Sequence, residues 1–142
     1  MRALLDVSML LALFDPKHVH HGRAHQWWMQ SKEHGWASCP ITENGFLRIV
    51  TQKAYSNPIA LADALDLLRR WAKPPLHEFW PDNVSLLDPA AIDHSRVLGP
   101  RQLTDIYLLA LATHHGGRFV TLDRGISLTA ARDAKPENLV MV

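Results

Sequence analysis

Two short apolar runs that each stop at an aspartate constrain this chain more than any other feature. Ala3-Leu4-Leu5 ends at Asp6, and Phe119-Val120-Thr121-Leu122 ends at Asp123. Near-continuous apolar runs of this length are the pattern of strands buried on both faces of a parallel sheet. Parallel neighbours cannot be joined by a tight hairpin; they need a crossover, usually a helix. The intervening sequence supplies such helices. Ser8 begins a short apolar helix to Phe14, which Asp15-Pro16 breaks, because proline disfavours helical geometry in the residue before it. A second helix is predicted over Val19–His34, closed by Gly35. Trp36–Cys39 reads as a strand, with Pro40 suited to an early helical position before a helix over Ile41–Thr51. An amphipathic helix over Ile59–Ala72 ends at Pro74-Pro75, and His77–Trp80 is a third strand. Asp93 opens a short helical turn. Leu103–His115 is the strongest helical pattern, stopped by Gly116-Gly117, and Leu139–Val142 makes a final strand. Strand and helix alternate throughout, which predicts an α/β class: one domain over residues 1–142, with a central, mainly parallel sheet flanked by helices.

The 142 residues, 47% of them hydrophobic, suffice for the core of one such domain. The formal charge of +1 lacks the strong basic excess of a non-specific DNA binder, yet acids gathered in a pocket would leave a basic rim. Cys39 is the one cysteine, so an intramolecular disulfide and an all-cysteine zinc site are excluded, and it reads as a small buried hydrophobe. The apolar run Val7–Phe14 is too short to span a bilayer and is bracketed by Asp6 and Asp15, so a soluble cytoplasmic protein is expected, with no membrane partner. Gly45 inside a helix costs up to about 1 kcal/mol relative to alanine, which points to close packing or close substrate approach.

Four acids stand in apolar surroundings. Asp6 and Asp123 terminate buried strands, Glu43 lies in the first turns of the helix after the second strand, and Asp105 in the first turn of the helix from Leu103. Strand C-termini and the N-termini of the following helices share one edge of a parallel sheet, so all four can reach one cleft. Each has an ordinary alternative: Asp105 and Glu43 suit a helix dipole, and Asp6 and Asp123 suit turn caps. Four carboxylates crowded together repel one another, and a divalent cation relieves that repulsion. Hard carboxylate oxygens suit magnesium or manganese, and no histidine–cysteine set of zinc spacing competes for these positions.

The blocks Leu5-Asp6-Val7-Ser8, Thr42-Glu43-Asn44-Gly45-Phe46, Leu103-Thr104-Asp105-Ile106-Tyr107-Leu108-Leu109-Ala110 and Thr121-Leu122-Asp123-Arg124-Gly125 resemble the four acidic blocks of PIN-domain nucleases. Within that group the chain is similar to VapC toxins of bacterial type II toxin–antitoxin pairs. The resemblance runs from residue 2 to about 126, in order. The first block commonly reads Asp-Thr-Asn/Ser; Val7 replaces the middle hydroxyl here and leaves Ser8. The resemblance implies a Mg2+- or Mn2+-dependent endoribonuclease that hydrolyses RNA by metal-activated water. Asp6, Asp105 and Asp123 would hold the metal, and Glu43 would hold a water on it or act as base. Ser8, Asn44 and Thr104 are candidates to support that set, with helix capping the competing role for Ser8 and Thr104. Arg48, Arg101 and Arg124 adjoin the acids and are candidates for phosphate contacts, with surface ion pairing equally open. A cognate VapB-type antitoxin and a homodimer are also implied. The helices over Val19–His34 and Ile59–Ala72 are candidate walls of the antitoxin groove.

Other readings remain open at this level. His18, His20, His21, His25 and His34 crowd the region before the second strand. His21 and His25 have the i, i+4 spacing of two metal ligands, without a third; packing or RNA contact competes with a zinc site. Trp27 and Trp28 cannot share a helix face, so one is expected to pack inward while the other is free to meet a partner. A catalytically silent PIN-like RNA-binding module would have lost one or more acids, and all four are present. An α/β phosphotransfer protein using Asp6 as acceptor would favour a second acid two residues later, where this chain has Ser8.

Overall fold

A computed structural model describes residues 1–142. Five strands form one sheet: β1 (Ala3–Leu5), β2 (Trp36–Ser38), β3 (His77–Phe79), β4 (Arg118–Thr121) and β5 (Leu139–Met141). Their order is β3-β2-β1-β4-β5, and every pairing is parallel. Five α-helices accompany them: α1 (Val7–Phe14), α2 (His21–Ser31), α3 (Pro40–Val50), α4 (Leu61–Trp71) and α5 (Leu103–His114). None is long and apolar enough to cross a membrane.

Period-two alternation along the strands divides the apolar residues between two cores. Ala3 and Leu5 of β1, Trp36 of β2 and Val120 of β4 join Met9 and Leu10 of α1, Trp28 of α2, Phe46 of α3 and Leu68 of α4. Leu4, Ala37 and Phe119 face the other way, onto α5 and the segment that includes Trp80 and Ile92. Helix α5 buries seven of its twelve residues, Ile106 through Ala112, which accounts for its all-round apolar composition.

Boundaries differ from expectation where capping decides them. Helix α1 starts at Val7, one residue before Ser8, because the Asp6 carboxylate accepts the Val7 N–H and so serves as the cap. Helix α2 starts at His21 and its last turn tightens into a 3-10 helix over Lys32–His34 before Gly35. Helix α4 occupies Leu61–Trp71, starting two residues after Ile59 and ending one before Ala72. The turn opened by Asp93 is a 3-10 turn over His94–Arg96, with Asp93 accepting from the Ser95 N–H.

Two glycines are set by contact. A Cβ on Gly45 would come within 2.5 Å of Val7 Cγ2, so the glycine lets α3 sit directly on α1. A Cβ on Gly117 would come within 2.7 Å of the Arg2 carbonyl oxygen and 2.5 Å of the Trp80 ring. Backbone and a buried indole cannot both yield. Gly117→Ala is therefore expected to lower unfolding stability by about 1–3 kcal/mol, read by urea denaturation, the cost typical of overpacking.

Candidate functional site

The chain runs outward from β1 through β2 to β3, then returns to place β4 on the other side of β1. The strand order therefore reverses between β1 and β4, and at such a point the diverging crossovers open a crevice at the strands' carboxyl ends. Asp6 follows β1 and Asp123 lies just beyond β4, so both acids stand at that crevice.

Asp6 is buried and rigidly held. Its Oδ1 accepts the Val7 N–H at 2.7 Å, and its Oδ2 accepts hydroxyl protons from Ser8 at 2.9 Å and Thr121 at 2.7 Å. The Thr121 bond crosses the reversal point and ties β1 to β4 through side chains as well as backbone. Thr121 is fully buried, and its Oγ1 also accepts the Asp123 N–H at 3.0 Å. The Asp123 carboxylate accepts the Gly125 N–H at 2.9 Å, which shapes the turn and holds the exposed acid over the edge. Ser8 accepts the Leu122 N–H at 3.3 Å, so it links the first and last acidic blocks.

Asp105, in the first turn of α5, completes the group. Its burial, the negative charges of Asp6 and Asp123, and a hydrogen-bonding contact with Asp123 push its carboxyl up to about 6. No other group contributes to that rise. The structure thus brings Asp6, Asp105 and Asp123 together as an electrostatic unit.

Glu43, in the first turn of α3, is engaged elsewhere on the same sheet edge. Its Oε1 accepts the Ser38 hydroxyl proton at 2.6 Å, and Ser38 Oγ also lies 2.7 Å from His77 Nε2. No three His, Cys, Asp or Glu side chains are drawn together at metal-ligand spacing. The donor chemistry nonetheless fits a hard divalent cation. A buried, a half-buried and an exposed carboxylate share one sheet edge with no cationic side chain paired to any of them, and Asp105 is pushed towards its neutral form by burial and by the other two.

The remaining sequence candidates take varied positions. Asn44 and Thr104 are exposed on α3 and α5 and make no side-chain hydrogen bond within the chain. Arg48, Arg101 and Arg124 are exposed, and none joins any of the four ion pairs. The histidines form no metal cluster: His21 Nδ1 lies 2.8 Å from the Ala12 carbonyl oxygen, and the His21 and His25 rings stack with centroids 5.7 Å apart. Trp28 packs inward, while Trp27 lies under the Arg118 guanidinium, 5.6 Å from the ring centroid. Burial pushes the Cys39 thiol up to about 11, which leaves it a packing residue.

Sequence reasoning passed over Thr121, Ser38 and His77. Thr121 sits inside the quoted fourth block and was signalled there by a hydroxyl among apolar strand residues. Nothing local signals His77, because its partner is 39 positions away.

The sequence pattern of the PIN-domain family matches residues 3–132. Ribonuclease VapC44 of Mycobacterium tuberculosis is 54% identical over 139 residues, which cover 98% of each chain. Ribonuclease VapC39 of the same organism is 41% identical over 133 residues, 92% of this chain and 95% of the relative. Ribonuclease VapC38 is 40% identical over 142 residues, 99% of each.

Proposed function

The chain belongs to the PIN-domain family, and from that premise we propose that it is a Mg2+- or Mn2+-dependent endoribonuclease, the cytoplasmic toxin of a VapBC-type type II toxin–antitoxin pair. The observation that carries this reading is the convergence of Asp6, Asp105 and Asp123 at the β1/β4 crevice, with Asp105 raised by burial and by the charges of the other two.

When bound, the divalent cation offsets negative charge developing on the phosphate and acidifies water near it. Asp6, Asp105 and Asp123 are the residues that hold it. Asp6 contributes most rigidity, because three donors fix its carboxylate before any ligand arrives. Glu43, fixed through Ser38, stands ready to accept the proton of the attacking water or to orient that water. Ser8 acts through Asp6; Asn44 and Thr104, exposed on the same helical starts, are free to meet the substrate. Arg48, Arg101 and Arg124 carry no ion-pair partner to displace, which suits them to grip RNA phosphates around the acidic edge.

The antitoxin is assigned to a second surface. A cavity of about 330 Å³ opens between α2 and α4, lined by Trp28, Met29, Trp36, Trp71 and Leu76. Met29, Trp71 and Leu76 are about half exposed, so an apolar helical segment of a VapB-type partner would cover surface that water now wets. We assign the protein a homodimeric state on the same family grounds.

The test is cleavage of a mixed RNA pool by purified, antitoxin-free protein with Mg2+, Mn2+ or EDTA. Metal-dependent scission supports the reading. RNA binding without scission in any metal overturns it in favour of a silent binding module.

A further inference from the structure

The line of side chains Glu43, Ser38 and His77 is not explained by metal binding. It joins three elements: the first turn of α3, the last residue of β2 and the first residue of β3. Ser38 is 2% exposed, so it is neither a nucleophile open to substrate nor a surface hydroxyl. From the sheet register, Trp36 pairs with His77, and their rings lie 4.4 Å apart, which fixes the imidazole plane.

Hydrogen-bond direction is the informative feature. A serine hydroxyl has one proton to donate and lone pairs to accept. Ser38 lies 2.6 Å from a glutamate oxygen, which needs that proton, and 2.7 Å from His77 Nε2. Were Nε2 unprotonated, two acceptors would compete for one proton. All three groups are satisfied when Nε2–H donates to Ser38 and Ser38 donates to Glu43. Burial, and then the charge of Arg2, hold the His77 pKa below its ordinary value, so the ring is neutral near pH 7 and its single proton has to choose a nitrogen. Its Nδ1 has no hydrogen-bond partner within the chain.

We infer that His77 is a positioning residue: it orients the Ser38 hydroxyl, which in turn holds the Glu43 carboxylate at the carboxyl edge of the sheet. The inference rests on the nuclease reading for the role of Glu43, and on hydrogen-bond geometry alone for the chain of contacts. Ser38 stiffens Glu43 directly; His77 acts one step removed.

The test compares wild type, Ser38→Ala, His77→Phe, His77→Gln and the Ser38→Ala/His77→Phe double variant in Mn2+-dependent RNA cleavage. Phenylalanine keeps the ring against Trp36 and removes the donor; glutamine keeps an N–H donor. Ser38→Ala and His77→Phe should each lower kcat about 3–10-fold, the effect of one lost hydrogen bond, with KM unchanged. His77→Gln should recover most of that loss, and the double variant should be no slower than Ser38→Ala, since both act through one chain. Additive losses, or a full-rate His77→Phe, overturn the positioning role while leaving the nuclease intact. Wild type that cuts no RNA overturns the nuclease reading instead. A readout independent of catalysis decides the contact itself: 15N-edited NMR of the His77 ring should show the Nε2–H tautomer in wild type, and an Nδ1–H tautomer overturns the inference.

Discussion

Asp6→Asn is expected to lower RNA cleavage by at least about 10³-fold, some 4 kcal/mol of transition-state stabilisation, while leaving the protein folded. The carboxylate accepts from one backbone N–H and two hydroxyls. An asparagine oxygen can keep the Val7 bond, and its NH2 can face Ser8 and Thr121 if their hydroxyls rotate to accept. The substitution therefore removes one of three converging charges with little change in shape. Asp15 is the control, because it too is a buried aspartate at the end of a short element. It accepts from Tyr55 Oη at 2.6 Å, Asn57 Nδ2 at 3.0 Å and the Lys17 N–H at 3.0 Å, and so pins the loop after α3 to the end of α1. Asp15→Ala should cost stability, about 2–3 kcal/mol from stranded donors, with cleavage per folded molecule retained. Cleavage lost in both variants would place the Asp6 effect in the fold; cleavage surviving in Asp6→Asn would remove the assigned site.

The second large effect is electrostatic. Burial and the charges of Asp6 and Asp123 push the Asp105 carboxyl up to about 6 in the folded protein, well above the ordinary carboxylate range. The folded state then holds this proton more tightly than the unfolded chain, so stability contributed here is present at low pH and falls as pH rises through that window. The loss is on the order of 2 kcal/mol after allowance for solvent screening. Metal-free Asp105→Asn should consequently be more stable than wild type at pH 7.5, by roughly 4–8 °C in Tm, with the difference vanishing near pH 4. A divalent cation held by the deprotonated carboxylates would reverse the sign, so saturating Mn2+ should raise the wild-type Tm more at pH 7.5 than at pH 5, and should barely move Asp105→Asn. Thermal scans of both proteins, with and without Mn2+, check this. A variant no more stable than wild type at pH 7.5 would mean that burial and the neighbouring Asp6 and Asp123 do not raise Asp105.

Both expected effects follow from crowding acids on one edge, which costs the metal-free protein stability and which a bound cation would relieve. The structure also divides the four acids between two places on that edge. Asp6, Asp105 and Asp123 gather at the β1/β4 reversal, whereas Glu43 is anchored one strand over by Ser38.

Local sequence determined the elements and their class. β1, β2 and β4 lie where short apolar runs predicted them, within one residue at the ends, because a strand buried on both faces admits few polar residues; the edge strands β3 and β5, only partly covered, also lie within one residue of their expected ends. The α5 helix and the inward packing of Cys39 were legible for the same reason. Helix starts were read less well: Asp6 rather than Ser8 caps α1, because Asp6 accepts the Val7 N–H while the Ser8 hydroxyl is turned to Asp6 and the Leu122 N–H. What tertiary structure alone decided was partnership. Asp6 meets Thr121 across 115 positions and Ser38 meets His77 across 39, contacts created by the strand order β3-β2-β1-β4-β5. Residue spacing reports which face of its own element a side chain occupies, and it carries no information about which strand lies alongside. That is set by how the crossovers pack their apolar faces on the sheet. The sequence therefore placed four acids on one edge, and packing chose which of them touch.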